Sequence, residues 1–152
     1  MVTDKATIPM PTSYTDLVIE KSNLLLRANM HEAQQEFDEA AELFAKSAML
    51  EAELAVTAYE YNQPDIALVH LISEISCWAA AGDTYRAVSQ GQRMLASPTL
   101  TTAQRIHLNE LVEKLNLRRR SWMASWDAQI APIDGGPSEP ASMGAMSPTN
   151  RY

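Results

Sequence analysis

The sequence has one cysteine, five glycines and few basic residues, and each shortage excludes something. Cys77 is the lone cysteine of 152 residues, so the chain forms no internal disulfide, and we expect a buried, unreactive thiol in a reducing compartment. Twelve Lys and Arg against 19 Asp and Glu give a net charge of −7, which argues against nucleic-acid binding. No apolar run reaches membrane-spanning length, and the N-terminus lacks the apolar core of a signal peptide. We therefore expect a cytoplasmic protein with no membrane or nucleic-acid partner.

Composition divides the chain into three zones. Residues 1–12 include two prolines and are expected to form an extended arm. Residues 13–130 show apolar residues at helical spacing and no strand pattern, which predicts one helical domain. Residues 131–152 hold half of the eight prolines and three of the five glycines, so we expect a disordered tail there.

The middle zone predicts an all-α fold of about five helices, joined by short turns and therefore antiparallel to their neighbours. The helices begin near Ser13, Phe37, Pro64, Thr84 and Thr101. No Gly or Pro interrupts residues 13–63, so the first two could be one long helix, although residues 34–41 favour a bend. Gly91 lies inside the fourth helix, where alanine is expected to be neutral or stabilising if no neighbour packs against it.

The clearest turn lies between the third and fourth helices. Gly82 supplies a left-handed C-cap, Asp83 can cap the next helix, and Ala87 lets the two helices approach closely. Ala40 and Ala67 follow the preceding turns in the same way. The three alanines are 27 and 20 residues apart.

This turn resembles the Gly-Asp-Tyr-x-x-Ala consensus of the tetratricopeptide (TPR) superfamily. A regular TPR array spaces its repeats by about 34 residues. The shorter step here is more similar to the compact repeats of the soluble NSF attachment protein (SNAP) branch. The resemblance implies a right-handed stack of antiparallel helices with a concave face that binds proteins, and it implies no catalytic residue.

Motifs for catalysis, cofactors or metals are not found in the sequence. Phosphate-binding loops, dinucleotide fingerprints, paired cysteines and zinc-protease motifs are missing, and none of the three histidines follows a glutamate by three residues. His70 and Glu74 have a spacing that could chelate a surface metal, but solvated helix residues are the expected interpretation. We expect no enzyme activity, no cofactor and no metal.

Two surface features suggest partner binding. The first is an acidic cluster in which only Lys46 is basic, read either as a solvated rim or as a docking face; its members are Glu32, Glu36, Asp38, Glu39, Glu42, Glu51, Glu53 and Glu60. The second is the run Arg118, Arg119 and Arg120, which leads into Trp122 and Trp126. These tryptophans either cap the core or form a recognition patch, since Trp and Arg dominate binding hot spots.

The sequence therefore predicts a non-enzymatic adaptor or scaffold that binds a protein or peptide, with self-assembly as a physically equivalent use of the same surface. The candidate partner-binding residues are Trp122, Trp126, Arg118, Arg119, Arg120, Glu32, Glu36 and Glu39. Two alternatives stay open. One is a small acidic chaperone similar to the TPR-type chaperones of bacterial secretion systems. The other, from a different class, is a helical-bundle enzyme or metal carrier.

Overall fold

A computed structural model describes residues 8–130, which contain five α-helices and no strand. The helices are α1 (Thr12–Ala33), α2 (Phe37–Glu60), α3 (Pro64–Ala80), α4 (Thr84–Leu95) and α5 (Thr102–Ile130). The predicted all-α class with five helices is confirmed, and the break between α1 and α2 rules out one long helix. The predicted tail and most of the predicted arm lie outside the described residues.

The first three turns share one backbone design. The residue before each N-cap has a positive φ, which is 63° at Gln35, 57° at Asn62 and 85° at Gly82. The N-cap amide then donates to the carbonyl five residues earlier, over 2.9 Å, 2.8 Å and 2.9 Å respectively. This is the Schellman motif, in which a left-handed residue ends one helix and aims the next. The same turn occurs three times, although only one copy has glycine at the left-handed position.

The alanine four residues after each N-cap is buried at the contact between successive helices. Ala40, Ala67 and Ala87 are all nearly inaccessible to solvent. A small side chain there lets the start of one helix approach its predecessor closely, so the alanine pattern read from the sequence is confirmed as a repeated packing feature. Asp83 accepts a hydrogen bond from the Arg86 amide at 3.0 Å and caps α4 as expected.

The junction between α4 and α5 is built differently. Thr101 Oγ1 accepts from the Gln104 amide at 3.2 Å, and the Gln104 side chain accepts from the Thr101 amide at 2.9 Å, which confirms the predicted capping box. The Arg105 guanidinium donates to the carbonyls of Leu95 and Ser97 at 2.6 and 2.8 Å. These bonds satisfy carbonyls at the end of α4 and fix the start of α5 beside it.

The helices pack mainly against their neighbours in sequence, and the short turns make successive helices antiparallel. The larger part of the core lies among α2 to α5, and a second cluster joins α1 to α2. The larger cluster consists of Ala48, Ile75, Cys77, Trp78, Ala87, Val88, Met94, Leu108, Val112 and Leu115. No helix in the described part of the chain is long and apolar enough to cross a membrane.

The condition set for a tolerated alanine at Gly91, that no neighbour packs against it, is not met. Gly91 is buried against α5, and a Cβ atom added there would lie 2.4 Å from Val112 Cγ2. Such a distance is a steric clash, so glycine is needed at this position for the close approach of α4 to α5. Alanine at Gly91 is therefore neither neutral nor stabilising.

Candidate functional site

The C-terminal half of α5 extends past the helix that covers its first half. Gly91 of α4 lies opposite Val112 of α5, and α4 begins seven residues before Gly91. Because the two helices are antiparallel, the start of α4 is level with about residue 119 of α5. The remaining residues continue for roughly 16 Å at the helical rise. All residues from 117 to 130 are exposed.

The face of α5 that points into the core continues along this exposed half. Leu108, Val112 and Leu115 are buried, and Trp122 follows Leu115 by seven residues, which is two helical turns. Trp122 is 63% exposed and Trp126 is 51% exposed. Their rings stack with centroids 5.8 Å apart and planes 20° apart. The tryptophans therefore do not cap the core, and that alternative is wrong.

A groove separates this exposed half of α5 from the turn between α3 and α4. Its volume is about 1030 Å³. One wall is lined by Gly82, Asp83, Thr84 and Tyr85. The other wall includes apolar surface from Leu117, Trp122 and Met123. Tyr85, an exposed aromatic residue at the start of α4, was not among the residues predicted from the sequence. We call this cleft the α5 groove.

The three predicted arginines do not all face the α5 groove. Arg118 and Arg119 line the α5 groove beside Trp122, whereas Arg120 does not line it. Successive residues of a helix are rotated by about 100°, so three in a row cannot share one face. Trp122 lines the groove, whereas Trp126, which stacks on it, does not. The groove thus combines one indole ring with two positive charges, and no carboxylate in the described structure forms an ion pair with either arginine.

The acidic residues predicted as partner-binding lie on other helices. Glu32, Glu36 and Glu39 are exposed around the turn between α1 and α2, and Glu36 pairs with His31. No ion pair in the described residues joins this turn to α5. The structure therefore brings the tryptophans together with two arginines, but it keeps the acidic candidates in a separate surface.

The prediction that Glu51 belongs to the acidic cluster is wrong, because its side chain is buried. Its side chain is 1% exposed, and its carboxylate accepts from Lys21 Nζ at 3.1 Å and from His70 Nδ1 at 2.6 Å. The Tyr14 hydroxyl lies 2.6 Å from His70 Nε2, which in the neutral imidazole accepts its hydrogen. This chain of polar contacts joins α1, α2 and α3. The sequence does hold a signal for it, because Glu51 lies three residues after Ala48 and four before Ala55, on the apolar stripe.

His70 and Glu74 are buried, so the expectation that they are solvated surface residues is wrong. Their polar atoms also have different partners. Glu74 accepts from Trp78 Nε1 at 3.2 Å and from Gln90 Nε2 at 3.5 Å, while His70 bonds to Glu51 and Tyr14. Burial raises the pKa of Glu74, with smaller opposing effects from Trp78 and Arg93. The described residues contain no group of three side chains suited to hold a metal ion.

Cys77 lies in the core next to Trp78. Burial, followed by the negative charge of Glu51, raises the pKa of its thiol to about 11. A thiol with such a pKa is protonated at neutral pH, and the protonated form is a poor nucleophile. The expectation that Cys77 is buried is confirmed, and the direction of its pKa shift agrees with an unreactive thiol.

Comparisons with models of known protein families, with curated proteins and with solved structures find no match to this chain. The resemblance to the TPR and SNAP superfamily therefore stays a prediction from the turn sequences.

Proposed function

We propose that this protein is a non-enzymatic interaction module, of the helical-repeat kind that the turn sequences suggest, and that it binds a helical protein segment in the α5 groove. One observation carries the proposal. The core-facing stripe of α5 continues beyond its cover as a stacked pair of exposed tryptophans. A partner helix placed there would bury these rings as α4 buries Leu108 and Leu115.

The chemistry of the groove defines the segment that fits. Apolar side chains at one-turn spacing would contact Trp122 and Met123, in the manner of an amphipathic helix laid into an apolar groove. Carboxylates beside them would pair with Arg118 and Arg119. Tryptophan and arginine are the residues that most often dominate binding energy, so a small contact here is sufficient for recognition. The proposed partner is therefore an acidic amphipathic helix.

The polar groups of the groove support binding rather than catalysis. Asp83 is engaged in capping α4 and lies 3.5 Å from the Arg86 side chain. The groove arginines have guanidinium groups, which donate hydrogen bonds only and do not act as general bases. We further propose that the protein works in the cytoplasm, where a reducing medium suits its single thiol.

Affinity capture from a native lysate tests the proposal. Wild-type protein is compared with a Trp122→Ala/Trp126→Ala variant and with an Ile19→Ala/Val69→Ala control, which removes two exposed apolar side chains from α1 and α3. We expect proteins retained by the wild type to be retained by the control and lost from the tryptophan variant. All three chains should have the same helical circular dichroism signal. Equal retention by both variants would contradict the proposal.

A further inference from the structure

The turn between α1 and α2 carries a surface that complements the α5 groove. Phe37, the first residue of α2, is 63% exposed although it is a large aromatic residue. Exposed carboxylates surround it in sequence; they are those of Glu32, Glu36, Asp38, Glu39 and Glu42. We call this surface the acidic corner. An exposed aromatic ring within a group of negative charges is the chemistry that Trp122 and the two groove arginines would bind.

The acidic corner and the α5 groove lie at the same end of the helical array. In an antiparallel array, α1 ends, α2 begins, α3 ends, α4 begins and α5 ends on one side. Ala81, just after α3, packs against the cluster that contains Phe44. Phe37 lies seven residues before Phe44, at the start of α2, so the corner lies at the same end of the array as the turn between α3 and α4. The end of α5 stands beyond the same turn on the other side.

This placement allows a reciprocal contact between two copies. A two-fold axis lying across that end would set the corner of each copy against the groove of the other, and both contacts would form at once. One copy alone does not make this contact, because no ion pair in the described chain joins the two surfaces. The local charges attract although each chain carries a net charge of −7.

We infer that the chain forms a two-fold dimer in which the acidic corner of each copy occupies the α5 groove of the other. This inference rests on the proposed function of the groove and names a second copy of the chain as its occupant. The contact depends on charge, so the dimer should weaken as the salt concentration rises.

Sedimentation velocity on two variants tests the dimer. A groove variant carries Arg118→Gln, Arg119→Gln and Trp122→Ala, and a corner variant carries Phe37→Ala, Asp38→Asn and Glu39→Gln. All six residues are exposed in the described structure, so the folded chain should survive both sets of changes. We expect the wild type to be a dimer at about 100 µM and each variant to dissociate at least about tenfold more readily.

Mixing the variants separates this arrangement from other interfaces. The groove variant keeps an intact corner and the corner variant keeps an intact groove, so their mixture should form a heterodimer through one remaining contact. A chain carrying all six substitutions has no intact contact with a wild-type chain, so it should stay monomeric in that mixture while the wild type forms its own dimer. The two mixtures contain the same substitutions, and only their distribution between chains differs.

Three outcomes would overturn the inference. They are a monomeric wild type, a mixture of the groove and corner variants that associates no more strongly than either variant alone, and association that continues beyond the dimer. A monomeric wild type whose lysate partners are still lost from the tryptophan variant would leave the proposed function standing and remove only the dimer.

Discussion

Both halves of α5 carry apolar residues on one face, but that face is buried in the first half and exposed in the second. In the first half, Leu108 and Leu115 are almost completely buried, whereas Trp122, two turns beyond Leu115 on the same face, is mostly exposed. The stripe continues with the two tryptophans, but Arg119 takes the position seven residues after Val112. The neighbour also changes, because α4 has 12 residues and α5 has 29. The difference in burial between the two halves of α5 thus follows from the length of the helix that covers the first half.

The length of α4 is set at the turn between α3 and α4. Gly82 ends α3 in the left-handed conformation, and Asp83 caps α4 immediately afterwards. At its other end, α4 stops before Pro98, which cannot continue a helix. The uncovered length of α5 is therefore set by the residues that begin and end α4. The following predictions are ordered from the largest expected effect on stability to the smallest.

Glu51→Ala should destabilise the covered part of the molecule most. The change leaves the charge of Lys21 and the imidazole of His70 without their carboxylate in a largely buried site. Breaking a buried pair in this way costs about 3 kcal/mol or more. Chemical denaturation followed by circular dichroism measures the loss. Glu53→Ala, two residues away on the exposed side of α2, is the matched control and should change stability by less than about 0.5 kcal/mol. Similar losses at both positions would show that Glu51 is not held in a buried network.

Gly91→Ala should weaken the contact that fixes the register of α4 on α5. The new methyl group would lie 2.4 Å from Val112 Cγ2, and overpacking of this kind costs about 1–3 kcal/mol, partly offset by the better helix propensity of alanine. Thermal unfolding measures the effect. Val112→Ala removes the clashing methyl group, so the double variant should be more stable than the sum of the two single changes predicts.

Gly82→Ala is the control for the rescue of Gly91→Ala by Val112→Ala. It should also destabilise, by about 1 kcal/mol, because φ is +85° and side chains are strained there. No atom lies within 4 Å of the added Cβ, so the cost is purely conformational and Val112→Ala should not relieve it. Rescue at both glycines, or at neither, would contradict the assigned contacts.

The helices were predictable because their signals are local. Pro64, Asp83 and the pair Thr101 and Gln104 mark helix starts by chemistry that acts within one turn. Even the turn at Gln35, which lacks glycine, could be recognised from its similarity to residues 81–88. The burial of Glu51 and the clash at Gly91 were not predicted, since both depend on which residue of another helix lies opposite.

The candidate site was predicted only in part, for the same reason. Trp122, Trp126 and the neighbouring arginines stand out in the sequence, because tryptophan and arginine are among the residue types most enriched at binding hot spots. Their exposure follows from the start of α4, which is 38 residues before Trp122 in the chain. Tyr85 and the turn that forms the opposite wall of the groove carry no signal that links them to α5.

Glu74→Gln should have a smaller effect that depends on pH. Burial raises the pKa of Glu74 above its ordinary value of 4.5, so between the two pKa values the folded state binds more protons than the unfolded state. The carboxylate therefore lowers stability progressively as the pH rises above about 4.5. Glutamine does not titrate and can still accept a hydrogen bond from Trp78. The stability of the variant relative to wild type should rise with pH over this range, and a difference that falls instead would contradict the shift.

Trp122→Ala/Trp126→Ala should have the smallest effect on stability. It tests directly whether the two halves of α5 differ in burial. Because both rings are exposed, their loss should change the free energy of unfolding by less than about 0.5 kcal/mol. Leu115→Ala, seven residues before Trp122 on the same face, is the matched control and should cost about 2–3 kcal/mol, since its side chain is buried. The double variant keeps Trp78 as its one tryptophan, so its fluorescence reports on the core alone and should be blue-shifted relative to wild type. A loss of stability as large as that of Leu115→Ala would mean that the tryptophans are covered in the folded protein, and the two halves of α5 would then not differ.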